Sequence, residues 1–75
     1  MYYCMQCKGG YAIYDIDRKL CTTNVNEDIP KAIEQYNLNE TFIASESDFD
    51  FFGLEVLFSF ESFDTVIELY PEYFI

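Results

Sequence analysis

Histidine and tryptophan are absent from this 75-residue chain, and Lys and Arg together number only 4. Without imidazole there is no Ser-His or Cys-His pair for nucleophilic catalysis and no imidazole ligand for a common zinc site. The few bases stand against 14 acids, for a net charge of -10. Direct binding to nucleic acid or to an anionic membrane is therefore not expected. No stretch offers the roughly 18 uncharged apolar residues of a membrane helix, because Glu55, Glu61 and Glu68 interrupt the apolar C-terminal third. Met1 to Met5 supplies neither a basic leader nor a continuous apolar core, so no export signal is expected and a reducing cytoplasm is the default compartment. The cysteine count of 3 is odd, which suits free thiols or a metal better than a disulfide framework.

Hydrophobic residues are plentiful. Phe occurs 8 times and Tyr 7 times, which sets the chain apart from disordered acidic sequences. A chain of this length makes one domain, residues 1–75, and buries only roughly 60% of the surface it exposes when unfolded. So many rings exceed one small core, and some are expected at the surface or in an interface, including that of a homodimer.

Met1 to Gln6 and Tyr11 to Ile16 are β-prone runs on either side of Cys7-Lys8-Gly9-Gly10, a hairpin signal. Asp17-Arg18-Lys19 makes a second turn, and Leu20 to Val25 returns as a third strand. Asn26-Glu27-Asp28 offers capping side chains ahead of Ile29-Pro30, and Ile29, Ala32, Ile33 and Tyr36 form one apolar stripe of a helix ending near Asn37. Thr41 to Ala44 reads as a short strand, Ser45 to Asp50 as a loop or exposed edge, and Leu54 to Phe60 as a half-buried strand with Val56, Phe58 and Phe60 on one side. The last segment has two readings: a helix capped by Ser62 with Phe63, Val66, Ile67 and Tyr70 on one face, or, the preferred one, a strand from Thr65 to Tyr70. Either gives an α+β fold, a small single domain with a mostly antiparallel sheet of four to five strands and one main helix.

The charge is unevenly placed. Lys8, Arg18, Lys19 and Lys31 are balanced by Asp15, Asp17, Glu27 and Asp28, so the first 31 residues are neutral. The remaining ten acids, Glu34, Glu40, Glu46, Asp48, Asp50, Glu55, Glu61, Asp64, Glu68 and Glu72, have no base among them. If Glu46, Asp48 and Asp50 lie on an extended chain at about 3.3 Å per residue, their carboxylates repeat at roughly 6.6 Å, near the spacing of phosphates along a nucleic-acid strand. Glu55 and Glu61 extend the row across a neighbouring strand, and Glu68 and Glu72 across the terminal segment. Glu55, Glu61, Asp64 and Glu68 follow the first three as expected partner-binding residues, Phe49, with an acid on each side, is the expected exposed anchor, and Phe51 and Phe52 are expected in the core. A groove built for phosphate holds several Arg and Lys, and a preformed carboxylate array exploits the same residues.

Small size, strong acidity, many aromatics and no catalytic constellation make the chain resemble phage-encoded acidic DNA-mimic inhibitors of the anti-CRISPR and anti-restriction type. The resemblance lies in surface character, chiefly over residues 34–72, and carries over no individual residue. It implies a non-enzymatic inhibitor in the bacterial host cytoplasm, whose partner is a basic nucleic-acid-binding protein such as a CRISPR effector or a restriction enzyme.

The alternative is a small zinc-stabilised interaction module. Cys4-Met5-Gln6-Cys7, followed by Lys8-Gly9, looks like half of a zinc ribbon, and Cys21 with Asp15 or Asp17 would have to complete it. Cys4 and Cys7 point to opposite faces of a regular strand; no cofactor is expected. Asp48, Asp50 and Gly53 match three positions of an EF-hand loop, but Phe52 and Ser59 stand where oxygen ligands belong.

Overall fold

A computed structural model describes residues 1–74. Six strand residues, Tyr2–Cys7 (β1), turn back through Lys8-Gly9 into Gly10–Asp15 (β2), and Leu20–Thr22 (β3) completes a meander. Both turn residues have positive φ, 33° at Lys8 and 80° at Gly9, as a type I′ turn requires. Gly10 is therefore the first residue of β2 and serves a different purpose: a Cβ there would run into the Val25 side chain and stand 3.0 Å from the Asn26 carbonyl. That close approach lets Tyr11 and Asn26 exchange backbone hydrogen bonds of 2.7 and 2.8 Å, which tie the chain after β3 to the sheet. The expected third strand is accordingly shorter than Leu20 to Val25.

Helix α1 spans Ile29–Asn37. The Asp28 carboxylate accepts the Lys31 N–H at 2.9 Å, Pro30 occupies the first turn, and Ile29 and Ala32 are buried, with Ile33 and Tyr36 half-buried beside them. The buried Gln35 accepts the Asn24 N–H at 3.3 Å and donates to the Thr23 hydroxyl at 3.3 Å, fastening α1 to the loop before it. Thr41–Ile43 (β4) pairs with β3. The chain then runs through a 3-10 turn, Glu46–Asp48, and a one-turn helix, Phe49–Phe52 (α2), to the far edge of the sheet. There Glu55–Phe60 (β5) pairs with β1, giving the all-antiparallel order β4-β3-β2-β1-β5.

The last segment is helical. Helix α3 spans Phe63–Leu69, followed by a 3-10 turn at Pro71–Tyr73, which corrects the preferred strand reading of Thr65 to Tyr70. Ser62 is in extended conformation immediately ahead of the helix, and Val66 goes into the core, so the helical period prevails over the β propensity of Val and Ile.

The sheet is covered on both faces. On the helical face Cys4, Ile13 and Phe60 pack against Ile29, Ala32 and Val66, rimmed by Tyr2, Tyr36 and Phe63, whose ring centroids lie 4.5–5.6 Å apart. On the opposite face Met5, Ala12, Tyr14 and Cys21 are covered by Ala44, Phe49 and Leu54 from the crossing segment. The Tyr14 hydroxyl donates to the Ala44 carbonyl at 2.9 Å, which anchors the start of that crossing.

Strand β5 departs from simple alternation. Cys4 pairs with Phe58 and Met5 with Val56, so Leu57 is the extra residue of a β-bulge. Phe58 and Phe60 stay on the helical side, whereas Val56 follows Met5 and is 48% exposed.

Candidate functional site

The acids of residues 46–50 do not form an extended row. Ser45 N–H donates to the Asp48 carboxylate at 2.8 Å, and the Ser45 hydroxyl meets the same oxygen at 3.2 Å. With the Asp48 N–H donating to the Ser45 carbonyl at 3.0 Å, these bonds wind the chain into a helical turn. Gly53, at φ 69°, takes the left-handed position that ends α2. The spacing of roughly 6.6 Å expected of an extended chain therefore does not hold for these three residues.

Winding also exchanges the roles of the phenylalanines. Phe49 is 9% exposed, its ring meeting Tyr14 edge-on at 4.9 Å, so it is removed from the partner-binding set. Phe51 is 85% and Phe52 43% exposed, the reverse of the expected core placement. Successive residues of a helix are about 100° apart, so Phe49 turns inward while Asp50 and Phe51 turn out. Phe51 and Phe52 touch edge to face at 5.2 Å, and Phe52 leans on Phe42 at 5.8 Å. Beside them an open apolar groove of about 270 Å³ is lined by Ala12, Cys21, Val25, Phe42, Phe52 and Leu54, with polar atoms from Thr22, Thr23 and Asn24 at its border.

The acidic residues divide between the two faces. Glu46, Asp48 and Asp50 belong to the segment that covers the Met5–Tyr14 face, whereas Asp64 and Glu68 belong to α3, which packs on the helical face. Glu55 opens β5 and Glu61 follows its last residue, about 17 Å apart on strand geometry once the bulge is allowed for. The sheet thus separates residues that the sequence alone suggested as one row. What they share is exposure without an ion pair. Glu46, Asp50, Glu55, Glu61, Asp64 and Glu68 are all exposed. Among the described residues the ion pairs join Asp17 to the N-terminal ammonium, Asp15 to Arg18, and Glu27 to Lys31, all within the neutral first 31 positions.

Unpaired like charges repel, and salt screens them. The melting temperature is expected to rise between about 10 mM and about 200 mM salt. A fall over that range would show that the repulsion is too weak to matter.

Asp15 is the exception among the acids. It is 4% exposed; its carboxylate accepts the Asp17 and Arg18 N–H groups at 3.0 and 3.2 Å and the Tyr36 hydroxyl. Burial alone would raise its pKa, but those hydrogen bonds outweigh it and the net shift is downward. Burial and the same bond to Asp15 push the Tyr36 hydroxyl upward. Asp15 therefore fastens α1 to the end of β2 and is a structural residue.

The thiols do not converge on a metal. Cys4 is buried on the helical face, where burial pushes its pKa up to about 12, and Cys21 is buried on the opposite face at about 11. Burial opposes the thiolate form that zinc requires. Cys7 points away from Cys4 and donates its S–H to the Phe52 carbonyl at 3.3 Å. Among the described residues no three Cys, Asp or Glu side chains gather closely enough to hold an ion, and no helix is long and apolar enough to cross a membrane.

Comparison with protein-family models, with curated proteins and with solved structures finds no match for this chain.

Proposed function

We propose that this chain is a non-enzymatic inhibitor that binds the basic nucleic-acid-binding surface of another protein, within the cytoplasm of a bacterial host. A CRISPR effector or a restriction enzyme is the partner class that the acidic-mimic resemblance implies. The observation that carries the reading is the set of ten carboxylates beyond Lys31, none of which joins an ion pair among the described residues. Such a surface attracts Arg and Lys arrays over long range and repels nucleic acid itself.

The contact begins at α2, where Glu46, Asp50 and Glu55 border the exposed Phe51 and Phe52 in the chain. Exposed aromatic rings flanked by charge suit an anchor that inserts between basic residues of a groove, with cation–π contacts to Arg as an added attraction. Glu61, Asp64 and Glu68 add attraction from the other side, where a partner wraps around a molecule only 20 Å across its shortest axis.

The test is capture of the partner from a bacterial lysate on immobilised protein. The Glu46→Lys, Asp50→Lys, Glu55→Lys triple variant is expected to capture at least tenfold less, while melting no lower than the parent, because all three side chains are exposed. Capture by the parent should also fall steeply between about 50 and about 300 mM salt. Equal capture by the triple variant would remove α2 and its flanks from the interface.

A further inference from the structure

Strand β5 has an edge that nothing in the described chain occupies. It lies last in the sheet and pairs with β1 alone, and no backbone hydrogen bond from a described turn or loop reaches residues 55–60. An open strand edge is a row of N–H and C=O groups ready to pair with another extended chain. The opposite edge, β4, is only three residues long. Proteins blunt long edges with Lys, with Pro, with inward-pointing charge or with a bulge. Between Glu55 and Glu61 the sequence Val-Leu-Phe-Ser-Phe has no Lys, Pro or acid, the bulge at Leu57 is the one such device, and Val56 and Leu57 are 48% and 36% exposed.

We propose that the β5 edge receives an extended segment of a partner protein as a sixth strand, one with alternating apolar residues and a Lys or Arg at each end. The ends are set by charge. Glu55 and Glu61 bracket the apolar edge about 17 Å apart on strand geometry once the bulge is allowed for, and α3 continues directly with Asp64 and Glu68. Neither Glu55 nor Glu61 joins an ion pair among the described residues, although the N-terminal ammonium lies on the Glu61 side.

The same charges disfavour a second copy. Two β5 strands paired antiparallel about a two-fold axis would set Glu55 of each chain near Glu61 of the other, and would join chains that each carry a net charge of -10. The inference shares with the proposed function the sign of the partner's charge and the carboxylates from Glu55 to Glu68, but its peptide test reads no captured partner. It involves backbone pairing at β5, and it holds or fails independently of the α2 surface.

The test uses two octapeptides of alternating Val and Thr, one ended by Lys and one by Glu, with amide hydrogen exchange read at residues 55–60. The Lys-ended peptide at millimolar concentration is expected to slow the outward-facing amides of β5 at least tenfold, and the Glu-ended peptide to leave them unchanged. In the Glu55→Lys, Glu61→Lys variant the preference should invert, which also shows that the strand still forms. Three results would each overturn the inference: no slowing by either peptide, equal slowing by both in the parent, or amides already slow in the free protein together with a dimer in sedimentation.

Discussion

Replacing Asp15 by Ala is expected to lower stability by about 2–4 kcal/mol, because three donors that converge on one buried carboxylate lose their acceptor together. The Asp17 and Arg18 N–H groups and the Tyr36 hydroxyl all lie against it, and Tyr36 links the end of β2 to α1. In a domain of this size that corresponds to a fall in melting temperature of roughly 10–25 °C. Asp15→Asn should cost less, since its carbonyl still accepts.

The Asn variant also isolates the pH dependence. The folded pKa of Asp15 lies below its ordinary value. Its contribution is therefore complete above the unfolded value of about 3.9 and is lost as pH falls through the lower folded one. The stability difference between parent and Asp15→Asn should be constant at neutral pH and should shrink below about pH 4. Taking the difference cancels the opposite effect of the exposed acids, whose protonation relieves repulsion. A gap that widens on acidification would mean that the native carboxyl is held in its protonated form.

Gly10→Ala is expected to destabilise by about 1–3 kcal/mol through overpacking. The added methyl would meet Val25 and the Asn26 carbonyl, so the bridge between Tyr11 and Asn26 must shift. Urea unfolding of Gly10→Ala, Val25→Ala and the double variant separates the two neighbours. Val25 is half exposed, so its own truncation should cost little. The double variant should recover most of the Gly10→Ala loss, leaving only the part due to the Asn26 carbonyl. If the double variant is no better than Gly10→Ala alone, backbone contact dominates the cost.

These two residues also mark how far the sequence can be read. Helix α1 was legible because its cap, its proline and its apolar stripe all agree, and the structure places them as the pattern requires. The hairpin was legible, but the paired glycines concealed a division of labour: Lys8 and Gly9 form the turn, and Gly10 makes room for a residue fifteen positions away. That depends on a tertiary contact, which no local pattern contains. Asp15 looked like one more partner in a balanced N-terminal third, because its burial depends on Tyr36, which the fold alone brings to it.

The candidate site was less legible. Ser45, Asp48 and Gly53 are the cap and stop signals of a short helical turn, yet the alternation of acids with Ser47 and Phe49 imitates a strand. Reading the alternation put Phe49 outside and Phe51 inside, and helical winding reverses both. The bulge at Leu57 likewise turned Val56 away from the side shared by Phe58 and Phe60. The charge asymmetry along the chain was visible from the first residue count. Its division between the two faces of the sheet was not, because that follows from the crossing of the segment between β4 and β5.

Whether this acidic surface displaces nucleic acid from a basic partner is read in a competition measurement. The protein captured from the lysate is bound to a labelled DNA duplex, and this chain is titrated in. The duplex is expected to be released in proportion to added chain, and the Glu46→Lys, Asp50→Lys, Glu55→Lys variant to release at least tenfold less. A partner that holds the duplex and this chain at the same time, each with undiminished affinity, would contradict this expectation.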